Sequence, residues 1–238
     1  FHSHRFMAHE KTENCLLEGN KLHLEQLEII KYLGDVLAVN TVIDEDRNLS
    51  FVNYGEIITS HLEAVNFVKR YATKKVSRKF DIIVTSAAGY PLDQTYYQTV
   101  KGMISPMHAL AENGNMIVMS SCAEGLGSDD FIQSQKRLAK VGGDAFLSEI
   151  SKRKLARNDE WQTQMQLKAS KKINISLYTE GLSTVEKNLT GVEVIDNVEK
   201  KIKDLLRSKE KKSIAVIPEG PYIVPAYEAA ENETEGRV

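Results

Sequence analysis

Tyr97, Gln98 and Lys101 are the residues whose types and spacing best suit chemistry. They lie in Gly89-Tyr-Pro-Leu-Asp-Gln-Thr-Tyr-Tyr-Gln-Thr-Val-Lys-Gly102, directly after the apolar run 80–86. That order predicts a buried strand, a small-residue turn and then a helix. On a helix, Gln98 and Lys101 are three apart and share a face. An amide beside an ammonium can hold a carboxylate, and an ammonium can also stabilise a developing alkoxide. Open α/β sheets bind ligands just beyond the carboxyl ends of their strands, which is where this helix begins. Composition alone also allows a second reading, an ordinary solvated helix face.

Other candidates carry less. Ser120-Ser-Cys-Ala-Glu-Gly-Leu-Gly-Ser-Asp-Asp130 is another strand-to-helix turn, with glycines that permit close backbone approach. Asp129 and Asp130 would repel a phosphate in its first helical turn. The spacing matches neither a dinucleotide fingerprint nor a P-loop, so a helix capped by Ser128 is expected. Trp161, the only tryptophan, stands early in a helix among acidic and amide residues, which suggests a helix end near the surface. It reads as a packing residue with a pocket role left open. His2, His4 and His9 crowd the start of the chain, but their spacing fits no helical metal motif. His61 and His108 fall within helical patterns and read as packing residues. Cys15 and Cys122 lack metal spacing, and Cys122 at a strand end reads as a buried structural thiol.

The elements that must position these residues follow from periodicity. Residues 22–33 are a helix, 36–43 and 49–54 a hairpin, and 56–71 a second helix. The polar, basic stretch 74–79 is a linker, which sets domains at 1–73 and 80–238. From Phe80 onward strands and helices alternate. Strands are expected at 80–86, 115–121, 173–178, 192–195 and 213–217, with 222–224 extending or adding to the last. Helices are expected at 94–112 (N-capped by Asp93), 129–140, 142–153, 158–171 and 196–208. In the first of these, Tyr97, Val100, Ile104, Met107 and Leu110 form the apolar stripe. The fold class is therefore α/β: a mostly parallel, Rossmann-like sheet flanked by helices, preceded by an α/β segment with a hairpin from a second domain. The acidic tail 228–238 is expected to fray.

Composition narrows the function classes. The 238 residues are 42% hydrophobic and 27% charged, as in water-soluble globular proteins. A net charge of -2 with both signs interspersed implies no nucleic-acid surface. Apolar runs such as Met116–Met119 fall far short of the roughly 20 residues a membrane span needs. A reducing cytoplasm is the expected setting. The start, Phe-His-Ser-His-Arg-Phe-Met, has neither an initiator methionine nor a signal region, which is expected of a chain cut from a longer one.

The run Gly89–Gly102 with Trp161 downstream resembles the C-terminal part of the nickel-dependent lactate racemase family. The opening Phe-His-Ser-His-Arg-Phe-Met and the later Leu-Leu-Glu-Gly-Asn are similar to that family's segment just after its cofactor-tethering lysine. The resemblance runs from His2 to about Pro218. It implies an isomerase that inverts the C2 centre of a 2-hydroxy acid by passing a hydride to and from a nickel-pincer nucleotide. It further implies that Gln98 and Lys101 hold and polarise substrate oxygens, that Tyr97 and Trp161 line the pocket, and that His2, or alternatively His4, ligates nickel. The family's tethering lysine, its two histidine bases and its nucleotide-phosphate ligands belong to an N-terminal half that this sequence lacks. That half is the expected partner, a small 2-hydroxy acid the expected substrate, and this chain alone is expected to be inactive. The reading from a different class is a non-catalytic α/β module that binds a small carboxylate through Gln98 and Lys101 without a metal.

Overall fold

Alternating apolar segments and turn residues produce two compact units in a computed structural model that describes residues 2–44, 46–207 and 211–228. One unit is Phe1–Thr73 with Ile150–Ala156, and the other is Lys74–Glu149 with Arg157–Val238.

The first unit runs α1 (His4–Met7), α2 (Lys21–Leu33), β1 (Leu37–Ile43), β2 (Leu49–Glu56) and α3 (Ile57–Ala72). Asn20 caps α2 by accepting the Leu22 N–H at 3.0 Å, and Gly34 ends it at φ +74°. The Glu56 carboxylate caps α3 by accepting the N–H groups of Ile58 and Thr59, and those bonds lower its pKa. β1 and β2 pair antiparallel, with Val39 opposite Tyr54. One side of this hairpin meets α3, where Asn40 Nδ2 donates to Ser60 Oγ at 3.1 Å and Asn53 Nδ2 to the Ser60 carbonyl at 2.9 Å. Its other side carries Val39, Ile43, Val52 and Tyr54, exposed by 63%, 63%, 56% and 68%, so this unit keeps an open apolar face.

The second unit holds the alternating pattern: β3 (Thr73–Val76), β4 (Phe80–Ser86), α4 (Tyr96–Ile104), β5 (Leu110–Met119), α5 (Asp129–Val141), α6 (Gly143–Ser151), α7 (Glu160–Ser170), β6 (Asn174–Tyr178), α8 (Thr184–Lys187), β7 (Glu193–Ile195), α9 (Val198–Leu206), β8 (Ile214–Ile217) and β9 (Val224–Tyr227). Five strands form one parallel sheet in the order β7-β6-β5-β4-β8. Successive residues of its central strands, Ile82 with Ile83 and Met116 with Ile117, are all fully buried, so both faces are covered. On one face Ile82, Val84 and Ile117 pack with Val198, Ile202 and Leu205 of α9. β3 pairs with β9 outside that sheet. The mostly parallel α/β architecture read from the sequence is therefore present. Among the described residues, no helix is long and apolar enough to cross a membrane.

Three details differ from the expectation. The helix read as 94–112 stops at Ile104; Pro106–Ala109 forms a 3₁₀ turn, and β5 already begins at Leu110. Pro106 has no N–H to continue the helical ladder and its ring crowds the preceding turn. The cap of α4 is Thr95, whose hydroxyl accepts the Gln98 N–H at 3.3 Å, whereas the Asp93 carboxylate accepts the Ser121 N–H at 3.2 Å. The stretch 222–224 does not extend β8: Gly220–Tyr222 is a 3₁₀ turn and β9 follows it. The last residue expected in the helix over 196–208, and the tail from 229 onward, lie outside the described residues.

Candidate functional site

α4 starts at the carboxyl end of β4, whose neighbours are far apart in sequence: β5 follows it directly and β8 is the last strand to join the five-stranded sheet. Ligands of open α/β sheets bind where strand order switches in this way. The turn between β4 and α4 uses Ala88 and Gly89 at φ +68° each, and the Gly89 carbonyl accepts the N–H groups of Leu92 and Asp93. Thr95 then caps the helix and sets its first turn over the cleft.

The two adjacent tyrosines of that turn go separate ways. Tyr96 is fully buried, with its hydroxyl donating to the Thr190 carbonyl at 2.8 Å. Tyr97, expected in the apolar stripe, is half-buried and lines a cleft of about 410 Å³ together with Thr95, Glu124, Gly127, Ser128 and Asp159. Its ring meets Phe131 edge-on at 5.2 Å between centroids and Trp161 edge-on at 6.1 Å. The Lys101 ammonium lies 5.4 Å from the Tyr97 centroid, one helical turn further on. A cation over an aromatic ring gains about 0.5–1 kcal/mol at an exposed site. Burial first, then the charge and hydrogen bonding of the Asp159 carboxylate, push the Tyr97 phenol up to about 12. It is therefore a neutral hydroxyl throughout the physiological range.

Gly127 shows how tightly the cleft wall is built. It has φ +126°, and a Cβ there would stand 2.9 Å from the Tyr97 Cβ. The Tyr97 backbone is pinned at both polar groups: its N–H donates to the Leu126 carbonyl at 2.9 Å, and its carbonyl accepts from Gln162 Nε2 at 2.7 Å. Ser128 accepts the Phe131 N–H at 3.2 Å and so caps α5, as expected.

Of the residues singled out in sequence, Tyr97, Lys101 and Trp161 thus converge, and Gln98 stands half-buried on the same helix beside Tyr97. His2 is exposed ahead of α1. His4 opens α1. The reading missed Asp159, Ser128 as more than a cap, and Phe131. Asp159 precedes α7 at φ +56°, a left-handed conformation that Asn and Asp tolerate better than most residues. The Asn158-Asp159 pair before a helix is the signal that could have marked it.

α7 is buried along most of its length although its sequence is polar. Gln162, Thr163, Gln164 and Gln166 are all buried. They are spent on internal bonds: Gln166 Nε2 to the Thr190 carbonyl at 2.5 Å, Gln135 Nε2 to Gln166 Oε1 at 2.9 Å, and Ser134 with Thr163 at 2.8 Å. Glu160 at its start pairs with Arg137. This polar network fixes α7, and with it Trp161, against α4 and α5.

A family model described as the lactate racemase C-terminal domain matches residues 75–224. The lactate racemase of Thermoanaerobacterium thermosaccharolyticum is 30% identical over 165 residues, which make up 69% of this chain and 38% of that protein. The lactate racemase of Lactiplantibacillus plantarum is 28% identical over 130 residues, 55% of this chain and 30% of that protein. The chain thus matches well under half the length of these relatives. In structure it is similar to the lactate racemase apoprotein of T. thermosaccharolyticum, with a TM-score of 0.86 at 24% identity, over 94% of this chain and 54% of that one. A Thermotoga maritima protein follows, with a TM-score of 0.55 at 13% identity over 86% of this chain and 52% of that one. At those identities the two structures speak to the fold.

Proposed function

Because the chain belongs to the family of lactate racemase C-terminal domains, we propose that it supplies one wall of a site at which the C2 centre of a 2-hydroxy acid is inverted. The observation that carries this reading is the Lys101 ammonium held over the Tyr97 ring, with Trp161 against the ring's flank, at the carboxyl end of β4. In this proposal Lys101 binds the substrate carboxylate or the alkoxide oxygen as charge develops on it. Gln98, three residues back on the same helix, adds an oriented amide to a second substrate oxygen. Trp161 and Tyr97 exclude water from the reacting carbon and fix the height of the cation.

Among the described residues, no group of three or more His, Cys, Asp or Glu side chains could hold a bare metal ion. The first unit instead offers individual imidazoles, His2 ahead of α1 and His4 at its head. Such a donor suits a nickel ion whose remaining ligands come from an organic cofactor. His2, with His4 as the alternative, would then hold the metal of a nickel-pincer nucleotide. That group, when bound, supplies the acceptor for the substrate's C2 hydride. The proton donor and acceptor for the substrate hydroxyl, and the grip on the nucleotide, fall to the rest of a whole protein. This chain by itself is accordingly inactive in our reading.

The test is racemisation of a panel of 2-hydroxy acids by the whole protein, made together with its cofactor-building enzymes and followed by chiral chromatography. Lys101→Ala is expected to lower kcat/KM by about 10²–10³, the usual loss when one charge-stabilising group is removed. The 238-residue chain alone is expected to give no turnover. An unchanged rate in Lys101→Ala would remove that residue from the site, and turnover by the chain alone would refute the division of labour.

A further inference from the structure

Gln162 stands in the first turn of α7, immediately after Trp161, and is 1% exposed. Its Nε2 donates to the Tyr97 carbonyl at 2.7 Å. A carbonyl only accepts, so the amide nitrogen is the end that faces α4. The other end, Oε1, has no hydrogen-bond partner among the described residues. A buried amide left half-satisfied costs free energy that an apolar side chain of the same length does not. Filling the space does not account for it, since a methionine would fill it as well. The one bond that the amide makes is therefore the feature to explain.

That bond joins the two helices on which the candidate site is built. Tyr97 and Lys101 belong to α4 and Trp161 to α7, and the Tyr97 ring meets Trp161 edge-on at 6.1 Å between centroids. The Lys101 ammonium lies 5.4 Å from the centroid of the same ring. In a regular α-helix the carbonyl of residue 97 faces the N–H of residue 101, so a tie at that carbonyl acts on the turn that carries both side chains. The other backbone bond of Tyr97, from its N–H to the Leu126 carbonyl at 2.9 Å, runs to the turn after β5 and leaves α7 free to shift. We propose that Gln162 is a positioning residue: through its bond to the Tyr97 carbonyl it sets the separation between Trp161 on α7 and the Tyr97–Lys101 pair on α4, the two sides between which a substrate is held. This rests on the reading of Lys101 as a substrate ligand.

Trp161 is the chain's only tryptophan, so its fluorescence reads this separation without any catalysis. Gln162→Met keeps an unbranched side chain of similar length and removes the donor. In this chain its emission is expected to shift to the red, with stronger quenching by acrylamide, as Trp161 moves off the Tyr97 ring. Gln162→Glu also keeps the shape; ionised it only accepts, whereas protonated it donates one O–H. Its emission is expected to return towards wild type as the introduced carboxyl protonates. The comparison is Gln162→Met, which shares the neighbouring Asp159 and Glu160 but has no new carboxyl. In the whole protein Gln162→Met is expected to lower kcat/KM about 10–100-fold, as small misplacements of binding groups do. In a Lys101→Ala background the same substitution is expected to cost less than about threefold, because the group it positions is gone. A glutamine that only supports the fold would lower the thermal midpoint and leave kcat/KM per folded molecule unchanged. That result overturns the proposal, as do an unmoved Trp161 emission in Gln162→Met and two losses that multiply in full. Should Gln162→Met not fold, Gln162→Glu gives the same readouts above and below its titration. Failure of the underlying functional reading shows elsewhere, as an unchanged rate in Lys101→Ala, while Trp161 emission still reports the tie.

Discussion

At Tyr97 the physics of the site is concentrated in one side chain. Its phenol is pushed up to about 12, first by burial and then by Asp159, so the folded state favours the neutral form. A group whose pKa is raised on folding contributes stability that is present in full below its unfolded value, near 10 for tyrosine. That contribution fades as the pH climbs from about 10 towards 12. The unfolding midpoint in urea is therefore expected to fall more steeply above pH 10 in the wild-type chain than in Tyr97→Phe. Parallel curves for the two would mean that the phenol is not linked to folding. The residue level was partly legible: the spacing of Gln98 and Lys101 and the lone Trp161 pointed to this corner of the fold. That Tyr96, and not Tyr97, would take the core position of the helix was not, since the apolar spacing runs through Tyr97. The register of a helix buried on most of its surface depends on partners such as the Thr190 carbonyl, which are distant in sequence.

Among the elements, α7 departs furthest from its sequence pattern. A run of glutamines and threonines reads as solvated, yet here it is packed between α4 and α5, with the Nε2 groups of Gln162 and Gln166 donating to the Tyr97 and Thr190 carbonyls. Gln166 is fully buried and bridges Gln135 and the Thr190 carbonyl. Gln166→Ala removes one of the two acceptors of the buried Gln135 Nε2, leaving it only the Thr163 hydroxyl at 3.2 Å, and empties a buried side-chain site, which is expected to cost about 1–3 kcal/mol. Urea titration of the variant would register this, and a loss below about 0.5 kcal/mol would mean that the network is slack. Parallel strands were easier to read than α7 because they are buried on both faces and appear as unbroken apolar runs, as in Ile82-Ile-Val84. The end of α4 was missed for a local reason: Met107 and Leu110 continue the helical spacing past Pro106, and periodicity does not register a missing N–H.

Across the whole molecule the two units are built to different standards. The second closes a five-stranded parallel sheet under helices, with Ile82, Ile83 and Ile117 fully buried. The first rests on a two-stranded hairpin with one face open, and two strands alone are marginal in water. Amide exchange should therefore be at least about 100-fold faster for the paired residues of β1 and β2 than for those at the centre of β4 and β5. Equal protection would indicate a single cooperative unit.

The cleft also sorts its own lining by how freely it can change. Ser128 and Asp159 are bonded to each other, Tyr97 is pinned through both backbone polar groups, Thr95 is committed to holding the helix, and Gly127 has no room for a Cβ. Glu124 is different: its N–H is fixed to the Gln94 carbonyl at 2.8 Å while its carboxylate stands exposed at the rim. A substitution there changes the charge and size of the cleft mouth while every bond that shapes its wall stays in place.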